Sequence, residues 1–519
     1  MLRPVYIYSA YSTRITGRPR AGYFDLCLEA VRGALEGISP LKIDSFYLAS
    51  MDPAVAGVTG EVSAALSADL HLLPKETLAV RGTSSAGGVA GLPAYKDIAL
   101  GMYDYSLLVS CEQMNRVLPD GAPYPEELRA QDRAATAQML GSVIDPAERR
   151  YGLTMVLIGD LYERALLRYL GLSKAAFREL ASALTLAMQA RAARYPLAHF
   201  FGQPPDPASY ERSPWVSPHY RRDDVVPVST AASALVLSSH PPPDGRAVRI
   251  VGVGQGIQHP ALSRRFGPVT CSPSVRRALC GMARGWGVSP AALREVDLAF
   301  PHDAFPSISR MILKEAGFSH EESVEGLLAG RFNPLGGLLK CGHPVGCSGE
   351  LQLVRAFQMM TQDRSVVPEE LLRQPAQKAF TVTVGSALTN IVAFALEAGM
   401  NHAPTGTGAV TDSAAREAEY AAYLSVDGAY DRFEAAMQTL AEGCGVVLAG
   451  TRSALGWVSL LQLRDQKAMA LAAADLEPGT LVRVRTNDRG GADGFNEVGE
   501  TVEEQVSREQ LVAFGVEPG

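Results

Sequence analysis

The chain has 519 residues, a length that predicts two or three cores rather than one. Its 47% apolar and 20% charged content indicates a soluble globular protein, and a formal net charge of -7 without a basic block excludes nucleic acid as an expected partner. No apolar run reaches the roughly 18 residues of a membrane span, so no membrane is expected. The seven scattered cysteines favour a reducing cytoplasm over a disulfide scaffold or a metal site.

The first 114 residues alternate between predicted strands and helices. Strands are predicted near 5–9, 43–49, 77–81 and 105–111, with helices near 21–35, 62–70 and 86–101. The third strand enters the small-residue turn Gly82-Thr-Ser-Ser-Ala-Gly-Gly88, which opens a helix. Backbone N–H groups and the helix dipole meet at such a turn, so it can hold a nucleophile or an anion. Thr83 and Ser84 would serve equally well as helix caps.

Residues 115–240 form a second region that is richer in arginine and proline. Long helices are predicted over 158–170 and 174–195, the second capped by Ser173. Five arginines of this region either meet a nucleotide phosphate or form a solvated face, which is the commoner role for any one of them. They are Arg191, Arg194, Arg212, Arg221 and Arg222.

The alternating pattern resumes over residues 241–397. Strands are predicted near 248–253, 296–300, 379–385 and 390–396. The second of these runs into His302-Asp-Ala-Phe305, at the carboxyl end of a strand, where open α/β sheets bind ligands. Farther on, the stretch from Asn333 to Gly349 carries five glycines around His343 and precedes a helix. Glycine lets the backbone approach a ligand closely, so this stretch is expected to present His343 to a cavity.

The last part of the chain differs in composition. Residues 398–419, with Pro404-Thr-Gly-Thr-Gly-Ala, are predicted to be a linker. Beyond it, residues 420–519 contain a predicted helix over 429–441 and strands beginning near 445, 457 and 481. A small additional α+β or β-barrel-like domain is predicted there.

Four stretches resemble the motifs of the thiolase superfamily, in order and at similar intervals. The turn Ser84-Ser-Ala-Gly87 resembles the Cys-x-Ser-Gly of the nucleophile turn, with Ser84 on the cysteine position and Ser85 as the alternative. Glu112-Gln-Met114 matches Glu-x-Met, and His302-Asp-Ala-Phe resembles the His-Asp-Cys-Phe of sterol-carrier-type thiolases. Asn333 to Gly349 matches Asn-x-x-Gly-Gly followed by Gly-His-Pro-x-Gly-x-(Ser/Thr)-Gly.

The resemblance implies an α/β fold of two similar βαβαβ halves in five layers, α-β-α-β-α. The halves would be residues 1–114 and 241–397, with a loop domain over 115–240 that covers the acyl-CoA channel. The domain at 420–519 is an addition that a typical thiolase lacks. The family further implies a homodimer, a CoA or carrier-protein thioester as substrate, and no permanently bound cofactor or metal.

The resemblance also implies roles for individual residues. Ser84, His302, Asn333 and His343 would be catalytic, with the two histidines beside the thioester carbonyl. The backbone N–H groups of Ser84 and Gly385 would form a second oxyanion pocket. The acid/base cysteine of degradative thiolases is replaced by Thr383, a possible acid/base position, and that of the sterol-carrier type by Ala304.

Three hypotheses follow. The first is an enzyme that forms or cleaves a carbon–carbon bond next to a thioester carbonyl, as a divergent acyltransferase or an aldolase-like variant without a covalent intermediate. The second is an ester-forming acyltransferase or thioester hydrolase that uses Ser84 as nucleophile, which would need a histidine base. The third is a catalytically inactive partner subunit. Reversible thiolysis is the least expected activity, because an oxygen ester made from a thioester is hard to return to a thiol.

Overall fold

A computed structural model describes residues 2–399 except for gaps at 54–60, 74, 119–121, 123, 151, 266–268 and 373. Beyond residue 399 it describes residues 418 and 420 and four short strands. Within the first range, nine strands form one mixed sheet. They are β1 (Tyr6–Ser12), β2 (Ser45–Ser50), β3 (Glu76–Arg81), β4 (Tyr105–Glu112), β5 (Ala231–Ser238), β6 (Val248–Ile257), β7 (Leu298–Pro301), β8 (Lys378–Gly385) and β9 (Asn390–Ala398).

The α-helices lie on both faces of this sheet and in the region between its two halves. They are α1 (Tyr23–Ala34), α2 (Val62–Asp69), α3 (Ala86–Leu100), α4 (Glu126–Gly141), α5 (Pro146–Arg150), α6 (Met155–Leu170), α7 (Lys174–Ala192), α8 (Pro207–Arg212), α9 (Pro273–Trp286), α10 (Pro306–Glu315), α11 (His320–Ala329), α12 (Gly337–Cys341) and α13 (Ser348–Met360). A 3-10 helix, Pro290–Glu295, follows Ser289.

The strand order shows two halves joined at a seam. It runs β3-β2-β4-β5-β1 and then β6-β9-β8-β7. At the seam β1 pairs with β6 through only two residue pairs, Tyr6 with Arg249 and Ile7 with Val248. Strand β5 falls at the end of the range predicted for the inserted domain, yet it lies between β4 and β1 in the first half. All eight residues of β5 are buried, so this strand is covered along its whole length.

Two helices, α3 and α13, pack between the two sheet halves. Glycines bring them together, since a Cβ on Gly349 would lie 2.6 Å from the backbone nitrogen of Gly88. A Cβ on Gly88 would in turn lie 2.5 Å from Cγ2 of Thr383 on β8. Helix α1 covers the outer face of the first half and α9 that of the second. This layering confirms the predicted α/β fold class, and it places the start of α3 against the second half.

The insertion between β4 and β5 packs over the second half. Two of its helices are capped by a hydroxyl side chain, with Thr154 at the start of α6 and Ser173, as predicted, at the start of α7. Helix α6 contacts α10, and α7 contacts α11 and α12. A buried ion pair between Glu163 of α6 and Arg310 of α10 holds the first of these contacts. The insertion therefore has a fixed position beside the ends of β7 and β8.

Beyond residue 399 the described strands form an antiparallel sheet in the order β11-β10-β12-β13. These strands are β10 (Val446–Ala449), β11 (Val458–Leu460), β12 (Leu481–Arg483) and β13 (Val512–Ala513). The first three overlap the strands predicted to begin near 445, 457 and 481. The predicted helix over 429–441 and nearly all of the predicted linker lie outside the described residues. Among the described helices, none has the length and apolar character that crossing a membrane requires.

Candidate active site

Ser84 stands in the turn between β3 and α3, directly before Ser85 at the helix N-terminus. Its Oγ lies 3.2 Å from Nε2 of His343, which is hydrogen-bonding distance. Ser85 is fully buried, and its Oγ has no hydrogen-bond partner in the described part of the chain. Neither serine caps α3 through its side chain. Of the two serines that the sequence left open, Ser84 is therefore the one that faces the histidine.

His343 is held by the loop between α12 and α13. Its Nδ1 lies 2.6 Å from Oγ of Ser348, and its Nε2 points to Ser84. The Ser348 hydroxyl is also 3.3 Å from the carbonyl of Pro344. Burial, reinforced by the charge of Arg355, lowers the pKa of His343 to about 3. The imidazole is thus neutral at physiological pH, with one ring nitrogen fixed by a neighbour and the other directed to the site.

His302 directly follows β7 and meets His343 edge to face. The two ring centroids are 5.0 Å apart at an interplanar angle of 85°. The backbone N–H of His302 donates to the carbonyl of Val382 on β8, at 2.9 Å, and so fixes the position of the residue. Burial and then the neighbouring His343 hold the pKa of His302 well below its usual range. Its Nδ1 is buried without a hydrogen-bond partner among the described residues.

These three side chains open onto one cavity of about 250 Å³. Ser84, His302 and His343 line it together with Ser386, just beyond the end of β8. Most of the remaining lining is apolar and comes from α4, α6, the segment 225–228 and the start of α10. The histidines of the second half and the hydroxyl of the first half thus converge on the same space, as the motif resemblance implies.

The other residues that the sequence singled out lie close behind this group. Asn333 is buried with a positive φ of 51°, and its Nδ2 donates to the carbonyl of Pro301 at 2.9 Å. Oγ1 of Thr383 donates to the carbonyl of Ser84 at 3.4 Å. A Cβ on Gly385 would lie 2.4 Å from Oγ of Ser85, so the bare backbone of β8 meets the Ser84 turn. Asn333 and Thr383 thus position the site and do not line its cavity.

The cysteines near the histidine loop do not replace the missing catalytic thiols. Sγ of Cys341 donates to the carbonyl of Leu335 at 3.0 Å, and burial raises the pKa of this thiol to about 11. Sγ of Cys347 donates to the carbonyl of Ser110 at 3.3 Å, and burial likewise raises the pKa of this thiol. Neither lines the cavity, whereas Ala304, at the cysteine position of the sterol-carrier type, does.

One of the five arginines of the insertion reaches the cavity. Arg222 is among the lining residues, and its Nη1 donates to the carbonyl of Val225 at 3.3 Å. Arg221 pairs with Glu211, and Arg191 donates to the carbonyls of residues 327 and 328. Arg222 is therefore the arginine of this set that is placed to meet part of a ligand.

Three supporting residues were not assigned a role from the sequence. Ser386 lines the cavity with a positive φ of 53°, a conformation that favours glycine. Buried Glu112 accepts backbone N–H groups from Met51 at 2.6 Å and from Gly346 at 3.1 Å, and burial raises its pKa to about 7. Asp303 accepts the N–H of Leu338 at 2.7 Å. Glu112 and Asp303 were both visible in the sequence motifs. Only the fold shows which backbone N–H groups their carboxylates accept.

Comparisons with solved structures find thiolases and a related aldolase. The "Ltp2-ChsH2(DUF35) aldolase" is 16% identical with a TM-score of 0.59, covering 77% of this chain and 99% of its own. Acetyl-CoA acetyltransferase from Syntrophomonas wolfei is 18% identical with a TM-score of 0.53, and the match covers 77% of this chain and 100% of the acetyltransferase chain. Human mitochondrial 3-ketoacyl-CoA thiolase is 16% identical with a TM-score of 0.54, and the match covers 76% of this chain and 99% of the thiolase chain. No protein-family model and no curated protein sequence matches the chain.

These likenesses span about three quarters of the chain and nearly all of each solved chain. At such low identity they establish the architecture: the chain has the thiolase fold. Within that fold, the cavity defined by Ser84, His302 and His343 is its candidate active site.

Proposed function

We propose that this protein is an enzyme that acts on acyl-CoA or acyl-carrier thioesters and forms or cleaves a carbon–carbon bond next to the thioester carbonyl. The observation that carries the proposal is the pair of neutral imidazoles, His302 and His343, at one end of a cavity with a serine where thiolases have a cysteine. Among the forms of this chemistry we favour the aldolase-like one, which needs no covalent intermediate. That an aldolase is among the structures of the same fold supports this choice.

His343 is suited to stabilise an enolate. The shorter contact of the Ser348 hydroxyl is the one to Nδ1 of His343, at 2.6 Å. In the tautomer in which this hydroxyl donates to Nδ1, the ring hydrogen is on Nε2, which points to the cavity. In the cleavage direction, the Cα–Cβ bond of a β-hydroxyacyl thioester breaks, and its electron pair passes to Cα and the thioester oxygen. An N–H donor aimed at that oxygen stabilises charge that exists only along the reaction path.

His302 is the candidate for proton transfer. Cleavage requires a base to take the proton of the β-hydroxyl as the carbonyl product forms, and the enolate then takes up a proton at Cα. The imidazole of His302 lines the cavity beside His343, where it can take up the first proton and deliver the second. The same two steps in reverse form the carbon–carbon bond.

Replacing Ser84 with alanine tests whether the reaction is covalent. We expect kcat to fall by at most about tenfold. Ser84 contacts His343, but in the aldolase-like reaction the acyl group never becomes covalently attached to Ser84. Intact-protein mass spectrometry of the wild type with acyl-CoA donors should show no acyl adduct. Ser85→Ala is the matched control, since that serine adjoins Ser84 but does not line the cavity.

The second candidate function has an observation in its favour. Ser84 Oγ and His343 Nε2 are 3.2 Å apart, the relation of a nucleophile to its base. In this case the enzyme would be an ester-forming acyltransferase or a thioester hydrolase. An acyl adduct in the wild type that disappears in Ser84→Ala would establish this function and overturn the aldolase-like one.

We further propose that the protein works as a homodimer in the cytoplasm. Strand β3 pairs with β2 on one side and is the edge strand of the sheet as described, and it leads directly to the Ser84 turn. An edge strand of this kind offers unpaired backbone groups to a second copy. Leu78, in its middle, is 45% exposed, which is unusual for a leucine in a strand.

A lysine at position 78 should therefore weaken the dimer. Charged residues on an edge strand oppose strand pairing between copies, so Leu78→Lys is expected to raise the dimer dissociation constant by at least about tenfold. Light scattering after size-exclusion chromatography over a dilution series measures this. Leu41→Lys is the control, since Leu41 is 80% exposed and lies outside the strands. A wild type that is monomeric at all concentrations would rule out the homodimer.

A further inference from the structure

A second cavity lies near the ends of β1 and β4, beside the start of α1. Its volume is about 600 Å³, within the range of small-molecule sites. Its wall is formed mainly by residues between 13 and 21, with Leu26 and Glu29 of α1 and described residues between 116 and 124. None of its described lining residues also lines the cavity at His302 and His343. The two cavities are therefore distinct.

The wall of this second cavity is basic. Four of its described lining residues are arginines, and one, Glu29, is acidic. The arginines are Arg14, Arg18, Arg20 and Arg116. Arg116 also pairs with Asp132 of α4 at 2.8 Å, which neutralises one of the four charges. When Glu29 and Asp132 are counted, the described groups at this cavity still carry an excess of two positive charges.

The segment that carries two of these arginines is fixed by hydrogen bonds. The N–H of Thr16 donates to the carbonyl of Thr230 at 3.1 Å, and the N–H of Thr230 donates back at 2.8 Å. The N–H of Arg18 donates to Oγ1 of Thr16 at 3.0 Å. The guanidinium of Arg14 lies over the ring of Phe201, 5.7 Å from its centroid. The backbone of both arginines is thus in place before a ligand binds, which lowers the entropy lost on binding.

Arginines in this arrangement suit an anion that carries several charges. Arg14, Arg18 and Arg20 are exposed, so a ligand can reach them from solution. A guanidinium presents its N–H donors as a planar fork that matches the oxygens of phosphate. Linked phosphate groups spread their charge along a chain, so they can meet more than one guanidinium at once. A single phosphate or carboxylate group meets fewer of them.

The wall also has an apolar part. Pro19, Ala21 and Leu26 line the same cavity. These side chains offer no hydrogen bonds, so they fit the face of a nucleotide base better than they fit further phosphate groups. A nucleoside diphosphate combines the two features that the wall requires.

We propose that this cavity is a binding site, separate from the active site, for a small molecule with linked phosphate groups, such as a nucleoside diphosphate. The phosphate groups lie among Arg14, Arg18 and Arg20, and the rest of the molecule lies against Leu26. Free nucleotides and the nucleotide end of CoA share this chemistry. A free nucleotide is the favoured occupant, because no described residue lines both cavities.

Isothermal titration calorimetry of the full-length protein with pyrophosphate and with ADP tests the site. Each should bind once per chain, and orthophosphate should bind at least about tenfold more weakly because it meets fewer guanidinium groups. Raising the salt concentration from about 0.05 to 0.5 M should weaken the binding of pyrophosphate, since exposed charges are screened. No binding of pyrophosphate and ADP would overturn the proposal.

Two arginine variants distinguish the two cavities. Arg18→Glu should weaken the binding of pyrophosphate at least about tenfold. Arg222→Glu is the matched control, because it makes the same change of charge at the arginine that lines the active-site cavity. It should leave the Kd of pyrophosphate within about twofold of the wild type. The opposite pattern would place pyrophosphate in the active-site cavity and overturn the proposal.

Removing the acidic group should have the opposite effect. Glu29→Gln deletes the one negative charge among the described lining residues, so pyrophosphate should bind about fivefold more tightly. Misfolding of a variant cannot produce such a gain of affinity. Unchanged or weaker binding in Glu29→Gln would contradict the proposed site.

Titration with CoA identifies the source of the phosphate groups. CoA should bind equally to the wild type and to Arg18→Glu if a free nucleotide is the occupant. An equal loss of affinity for CoA and for pyrophosphate in Arg18→Glu would overturn the assignment to a free nucleotide. None of these measurements involves turnover, so this site and the proposed reaction are tested independently.

Discussion

Replacing His343 with alanine should lower kcat/KM for a thioester substrate by about 10²–10³-fold, the usual cost of removing one oxyanion donor. Nε2 of His343 lies 3.2 Å from Oγ of Ser84 in the cavity. The methyl side chain of alanine cannot replace its hydrogen-bond donor. Steady-state kinetics with acyl-CoA substrates measure the change. Circular dichroism should show that the fold is kept, because the loop is also tied down by Glu112 through Gly346.

Ser348→Ala is the control for His343. It leaves the imidazole in place and removes only the hydroxyl that contacts Nδ1 at 2.6 Å, so kcat/KM is expected to fall roughly tenfold.

The pH profile of the wild type supplies a second readout. Because the pKa of His343 is lowered to about 3, the imidazole becomes charged only as the pH falls toward that value. Wild-type kcat/KM should therefore show no loss at the usual histidine pKa of about 6.5. Unchanged turnover in His343→Ala would favour an inactive partner subunit.

A glutamine at position 302 should lower kcat by about 10²–10⁴-fold and change KM little, because the amide cannot accept and return a proton. His302 is next to His343, with ring centroids 5.0 Å apart, and its Nδ1 has no partner among the described residues. Separate determination of kcat and KM makes the distinction. A change confined to KM would reduce His302 to a binding role.

Asp303→Asn is the matched control for this substitution. Asp303 adjoins His302 and accepts the N–H of Leu338, at the start of the short helix before His343. Asparagine keeps a carbonyl oxygen for that bond, so the loop should stay in place and kcat should fall by less than about tenfold. A larger loss would mean that the variants at position 302 act by disturbing the loop.

The residues that present the site could be predicted because their signals are local. Gly337 is an example: its φ is +63°, and a Cβ there would lie 1.8 Å from Oδ2 of Asp303. Only glycine fits, so a glycine-rich stretch around His343 marks a tightly turned loop in the sequence itself. The strand that ends just before His302 and the helix that begins after Ser84 were likewise evident from periodicity and small residues.

The cavity wall could not be predicted, because it depends on contacts between distant segments. Nothing near Leu140 or Val156 in the sequence indicates that both face a histidine some two hundred residues later. The direction of a polar side chain is similarly hidden. The amide of Asn333 donates to the carbonyl of Pro301, and the hydroxyl of Thr383 donates to the carbonyl of Ser84. Both contacts arise only because the ends of β7 and β8 lie beside the start of α3. Strand β5 was assigned to the insertion because pairing partners are not visible in a run of apolar residues.

The short seam between β1 and β6 has a consequence for how the protein loses activity. Ser84 belongs to one half of the sheet and both histidines to the other, while the strands that join the halves share only two residue pairs. A small change of angle between the halves would separate the hydroxyl of Ser84 from the imidazole of His302, which follows β7, before either half unfolded. Inactivation by heat or denaturant should therefore precede the loss of secondary structure.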